Sequence, residues 1–150
     1  MELNYLEEIS GLLNDAKITC HVEKDIYSRL WQKYLVNCAF NIVTAYYLTD
    51  TKGIREVPER VNEYIQLLNE ASFTARVLGV SLPEGIERGI LDRFLNKQLD
   101  TATSSLKKDM HKNELNELDV FSKTLLDKAA SVGLVLPTTK RFYEELKNRK

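Results

Sequence analysis

Two cysteines, two histidines, three prolines, six glycines and one tryptophan among 150 residues leave several protein classes without their raw material. Two cysteines cannot staple a small secreted domain, and Cys38 lies in an apolar run where a thiol acts as a small buried hydrophobe. His21 and His111 have no metal-ligand spacing with each other or with the cysteines, so no metal site is expected. The chain has no GxGxxG, no GxxxxGK[ST] phosphate loop and no GxSxG elbow, so it does not read as a nucleotide-binding module or a serine hydrolase by itself. Charge of one sign is lacking as well. With 21 basic and 22 acidic residues the net charge is -1, and no global field draws nucleic acid or an anionic membrane. The basic stretches 104–112 and 140–150 contain acidic residues and read as solvated helix faces. Every apolar run is broken well before membrane-spanning length. The first ten residues, MELNYLEEIS, are acidic where a secretory signal would be basic, which makes the cytoplasm the expected compartment.

What is present is a chain of ordinary globular composition, 43% hydrophobic and 29% charged, of a length suited to one core and one domain. Apolar periodicity reads as helix nearly everywhere. Asn4 is placed to cap a first helix carrying Leu6, Ile9, Leu12 and Leu13 and ending near Ala16. A short β-like stretch, KITCHV, follows. Asp25 then precedes a long apolar segment from Ile26 to Leu48, closed by the turn residues TDTKG. Further helices are expected from Pro58, from Pro83 to about Asn96, near Ser105 to Lys112, near Glu117 to Val132, and from Pro137. LGVSLPE (78–84) and VGLVLPT (132–138) share one device: a glycine suited to the left-handed conformation that stops a helix, then a proline suited to the first turn of the next. With no set of alternating strands, the fold class is all-α, an irregular bundle of about six or seven helices whose segment 26–48 runs through the centre.

Within that central segment, WQKYLVNCAFN (31–41) sets Lys33, Asn37 and Asn41 at i, i+4 and i+8, one stripe of a helix. A lysine there can snorkel, its stem covering the bundle while its amine reaches water. Two asparagines one turn apart are harder to place so, because asparagine is a poor helix-interior residue and a buried amide needs partners. A carboxylate for Lys33 must come from elsewhere. NELNELD (113–119) offers Glu114, Glu117 and Asp119, which equally suit a helix N-terminus, as Ser104 and Ser105 suit a cap.

These residues carry a resemblance. WQKYLVNCAFNIVTA (31–45) resembles the W-x-K-x-x-x-N-x-x-x-N-x-x-T-A signature of ketopantoate reductases (2-dehydropantoate 2-reductases), at the start of their helical C-terminal domain. TSSLKKDMHKNELNELD (103–119) is similar to the family's T-S-S-M-x-x-D followed by E-[IL]-D, and ASVGLVLPTTKRFYEEL (130–146) to its final G-[VI]-x-[TV]-P and last helix. The likeness spans nearly the whole chain and implies a C-terminal domain of the 6-phosphogluconate dehydrogenase kind. It also implies an activity: reduction of the 2-oxo acid ketopantoate to pantoate with NADPH, in pantothenate biosynthesis. On that pattern Lys33 matches the general acid, Asn37 and Asn41 the asparagines that hold the hydroxyl end of the substrate, Ser105 the serine for its carboxylate, and Glu117 the glutamate that meets substrate and lysine. Leu106 replaces the family's methionine, and Ser122-Lys123 stand where many members carry Asn-Gly. The family's Rossmann domain, which holds most of the NADPH, has no counterpart in these residues. The chain is therefore expected to be inactive without such a domain in cis or in trans. The alternative is a helical small-molecule-binding or dimerisation module derived from that domain, and in either case neither nucleic acid nor membrane is an expected partner.

Overall fold

The computed structural model describes residues 2–112 and 117–149. Among them are eight helices and no strand: α1 (Glu2–Asp15), α2 (26–47), α3 (Thr51–Arg55), α4 (Pro58–Val77), α5 (Ile86–Asn96), α6 (Ser105–Lys112), α7 (119–131) and α8 (Pro137–Lys147). Helix α2 consists of α-helical Ile26–Val36, one π-helical turn Asn37–Asn41, and α-helical Ile42–Tyr47, while α7 opens with a second π turn at Asp119–Lys123. None of the helices is long and apolar enough to cross a membrane, among the described residues.

As its composition requires, α2 is the central element. Asp25 caps it by accepting a hydrogen bond from Ser28 N–H at 2.9 Å, and every residue from Cys38 to Ala45 is buried. Small residues let its neighbours come close: Ala39 and Ala45 on α2, Ala71 and Ala75 on α4. Around them pack Leu67 and Leu68 of α4, Leu106 of α6, Leu125 of α7, and Phe142 and Leu146 of α8, each at most 1% exposed. Burying one such side chain contributes about 1.5–3 kcal/mol, so this shared core holds four helices to α2 without a disulfide among the described residues.

Four local expectations are corrected. KITCHV is irregular chain with no strand to pair with among the described residues; instead the Asn14 amide mimics a ladder partner, donating to Cys20 O at 2.9 Å and accepting from Cys20 N–H at 3.1 Å. Asn4 lies inside α1, which begins at Glu2. TDTKG is not a simple turn: Asp50 accepts from Gly53 N–H at 3.0 Å and nucleates α3, which is why eight helices stand where six or seven were expected. Pro83 does not open α5, which starts at Ile86 after Gly85 at φ 70°. Pro58 and Pro137 do open their helices, and Gly79 (φ 81°) and Gly133 (φ 74°) take the left-handed conformation.

The last helix is fixed to the core by a cross-chain cap. Glu70 of α4 accepts from the backbone N–H groups of Thr138 and Thr139, both at 2.8 Å, and from the Thr139 hydroxyl at 2.7 Å. A carboxylate at a helix N-terminus satisfies orphan donors and opposes the positive end of the dipole. Glu70→Ala is expected to lower unfolding stability by about 1–3 kcal/mol. Urea denaturation would read this as a lower midpoint at unchanged slope; an unchanged midpoint would show that α8 is held by its apolar face alone.

Candidate active site

The site begins with a defect in the central helix. A π turn carries one residue more than the α-helix can bond in its usual ladder, and such turns recur where a helix must present side chains differently. Here it spans Asn37 to Asn41, the two asparagines at its two ends. Thr44 steadies the irregular backbone, donating its hydroxyl to Phe40 O at 2.7 Å. With that proton committed, the Ser104 hydroxyl donates to Thr44 Oγ1 at 2.7 Å and accepts Lys107 N–H at 3.1 Å as the cap of α6. One buried chain of hydroxyls thus sets the π turn against the start of α6, next to Ser105.

Ser105 itself does not cap. Its hydroxyl donates to a Glu117 carboxylate oxygen at 2.8 Å, on the exposed rim. Lys33 and Asn37 line a cleft of 640 Å³ between α2 and α5. Asn41 is buried at the far end of the π turn and does not line the cleft. The structure therefore brings the five candidates together as two pairs, Lys33 with Asn37 and Ser105 with Glu117, with Asn41 on the helix that joins them. No ion pair links Lys33 to Glu117 among the described residues. Lys33, Asn37 and Asn41 make no side-chain hydrogen bond among those residues either, so the stripe is not spent on internal structure. Glu114 lies outside the described residues, and Asp119 accepts from the Tyr143 hydroxyl at 2.9 Å.

Much of the cleft was not legible in the sequence. Arg29 is: it lies four residues before Lys33 and extends the same stripe. Tyr64, Ile86, Ile90, Arg93 and Gln98 come from turns of chain that no spacing joins to Lys33. The Tyr64 ring stacks on Phe94 with centroids 4.2 Å apart, giving the cleft a flat apolar base. Arg55 locks the end of α5, donating to Phe94 O and to Gln98 O (2.8 Å) and pairing with Asp100 at 2.7 Å, a cation placed where a helix C-terminus favours one.

Two further groups are structural. Burial pushes the Cys38 thiol well above its ordinary range and so favours its neutral form in the core. Tyr34 is shifted upward, chiefly by burial, and donates to Val120 O at 2.7 Å, tying α2 to the second π turn. In that turn the buried Ser122 hydroxyl finds no partner among the described residues.

Comparison with known proteins agrees with the motifs. The model of the ketopantoate reductase PanE/ApbA C-terminal domain matches residues 25–150. The chain belongs to this family. A 2-dehydropantoate 2-reductase of Yersinia pestis is 28% identical over 125 residues, which are 83% of this chain and 40% of the relative. The fold is that of a PanE/ApbA family ketopantoate reductase from Ralstonia eutropha JMP134 (TM-score 0.85, 17% identity, 95% of this chain and 47% of that one). It is shared by a D-mandelate dehydrogenase solved with NADH and anilino(oxo)acetate (TM-score 0.81, 17% identity, 94% and 59%). The chain spans less than half the length of the curated relatives it matches.

The wall of the cleft in this family member has one titrating tie. Arg76 of α4 holds Glu87 of α5, and its guanidinium brings the Glu87 carboxyl down to about 2. A depressed carboxyl contributes stability above its unfolded value, near 4.5, and loses it as pH falls toward 2. The pair is partly exposed, so its contribution is about 0.2–1 kcal/mol. Acid titration of stability is expected to show Glu87→Gln with a flatter fall between these pH values than the parent; identical acid limbs would show that the tie contributes nothing.

Proposed function

We propose that this chain is the substrate-binding and proton-donating half of a 2-oxo acid reductase, with ketopantoate as the substrate its family points to. One observation supports this above the others: an ammonium and an amide, Lys33 and Asn37, face a cleft with an apolar base and have no partner of their own among the described residues. Lys33 is exposed and Asn37 half-buried, so both stay open to a bound molecule rather than being spent on the core.

Reduction of a 2-oxo acid places negative charge on the former carbonyl oxygen. In this reading the Lys33 ammonium gives that oxygen its proton, an interaction that strengthens as charge develops and so lowers the barrier rather than merely binding substrate. Asn37 holds the substrate in register by hydrogen bonds from the cleft wall, and by the motif resemblance Asn41 and the Ser105–Glu117 pair supply its remaining contacts from outside the α2–α5 cleft. The hydride would come from NADPH held by another domain. The residues here do not fit it as its main holder, since they include no glycine-rich phosphate loop, and a Rossmann domain in cis or in trans is the partner the reading requires. Lys33→Ala is expected to lower kcat by about 10²–10⁴ in the reductase assembled from this chain and its Rossmann domain, with a smaller effect on substrate KM. Unchanged turnover would remove Lys33 from the chemistry.

A second reading has an observation of its own. Helix α1, which lies before the family match, leaves Tyr5 70%, Leu6 52% and Leu12 66% exposed. An uncovered apolar face of this kind suits a non-catalytic dimerisation module as well as it suits a second domain.

A further inference from the structure

Two side chains that line the cleft between α2 and α5, Tyr64 and Gln98, keep hydrogen-bonding capacity that neither the core nor the chemistry above uses. Neither falls within the three motifs that carry the family resemblance. Tyr64 of α4 is only 1% exposed, yet its hydroxyl makes no hydrogen bond among the described residues. It is not sealed off: among those residues the one enclosed side-chain oxygen without a partner is that of Ser122. What little of Tyr64 is open therefore includes its oxygen, and the residue lines the cleft. Burial pushes its ionisation upward, so it stays a neutral hydroxyl with one proton to give and a lone pair to accept one. Gln98 offers the complement. Thr51 gives its hydroxyl proton to Ala102 O at 3.1 Å, so its Oγ1 receives the Gln98 amide N–H, also at 3.1 Å. Turning the amide over would set two acceptors against each other. Oε1 is thus fixed on the free side of the amide, and it accepts no hydrogen bond among the described residues. Phe94 brings the two groups to one wall: its ring stacks on that of Tyr64 with centroids 4.2 Å apart, and Gln98 follows it by one turn's worth of chain.

A carboxylate or an oxo group cannot satisfy this pair, since neither has a proton for Gln98. An ammonium would supply one but would face Arg29, Lys33 and Arg93, which line the same cleft. An alcohol suits it, donating to Gln98 Oε1 and accepting from the Tyr64 hydroxyl. We propose that Tyr64 and Gln98, with Asn37 of the same cleft, form the subsite for the alcohol group of a hydroxylated 2-oxo acid and set specificity against acids that lack it. This rests on the reductase reading for the oxo group, and it leaves the carboxylate with Ser105, where the motif resemblance has it. Such a site rejects the analogue without a hydroxyl because its own polar groups then stay desolvated and unpaired.

Ligand-observed NMR titration of the 150-residue chain tests it with three acids. These are ketopantoate, trimethylpyruvate, which lacks only the alcohol, and the hydroxy acid in which a methylene replaces the oxo group of ketopantoate. Expected is ketopantoate binding about tenfold or more tighter than trimethylpyruvate. Tyr64→Phe, which keeps the ring that stacks on Phe94, should weaken ketopantoate binding about two- to tenfold and leave trimethylpyruvate unchanged. Gln98→Met should act in the same direction. Circular dichroism confirms that each variant is folded. A Tyr64→Phe chain that binds ketopantoate as the parent does, or that loses both acids equally, overturns the Tyr64 contact while the reductase reading stands. A Gln98→Met chain with the parent's preference overturns the acceptor in the same way. If the methylene acid binds as tightly as ketopantoate and both depend on Tyr64, the alcohol subsite stands and the reductase reading loses its support. Equal affinity of the parent for ketopantoate and trimethylpyruvate, or binding of neither, overturns the subsite itself.

Discussion

The buried hydroxyl relay from Ser104 through Thr44 to the Phe40 carbonyl is the constraint on which the rest of the site depends. A π turn that runs into the buried stretch Cys38–Ala45 leaves backbone groups out of the regular ladder where water has little access to satisfy them. Thr44 supplies a hydroxyl for one of them, and Ser104 supplies one for Thr44 while capping α6. The irregularity is thereby made stable and tied to a second element. Its consequence is geometric: the two asparagines stand at the ends of the widened turn, Lys33 one turn before it, and Ser105 immediately after the residue that anchors the relay.

The rest of the scaffold serves to hold the walls of the cleft. Helix α5 is fixed at its C-terminal end by Arg55 and, near its start, by the Arg76–Glu87 pair. Phe94, packed against Tyr64 and Phe40, carries the α5 backbone into the core while leaving Ile90 and Arg93 at the cleft. Only a rigid α5 can keep the Arg93 wall opposite Lys33. Rigid opposing helices are the economical way to hold a cation near a reacting oxygen without the entropy cost of ordering a loop.

How far the sequence alone reveals this architecture follows from the range of its signals. Apolar periodicity identified α2 as central, and Pro58, Pro137, Gly79 and Gly133 marked ends that the structure keeps. Local signals misled where tertiary contacts decide: Pro83 opens nothing because Gly85 turns the chain first, and residues 17–22 look like a strand but have only the Asn14 side chain to pair with. At the site, a period of four residues placed Lys33 and Asn37 on one cleft wall, whereas Asn41, at the far end of the π turn, is buried and does not line it; motif resemblance pointed to Ser105 and Glu117, which the structure pairs with each other. The π turn left no trace in composition, and Arg93 comes 60 residues after Lys33 with no shared pattern, so only folding brings them to one cleft.

The central claim is that the polar stripe of α2 is the wall of a small-acid site. It is tested most directly by mapping amide and side-chain NMR shifts of the chain as ketopantoate is added. The account expects the largest changes at Lys33, Asn37 and Arg93, with the apolar face of α1 silent. Shifts confined to α1 or scattered over the surface, with the α2 stripe unmoved, would contradict it.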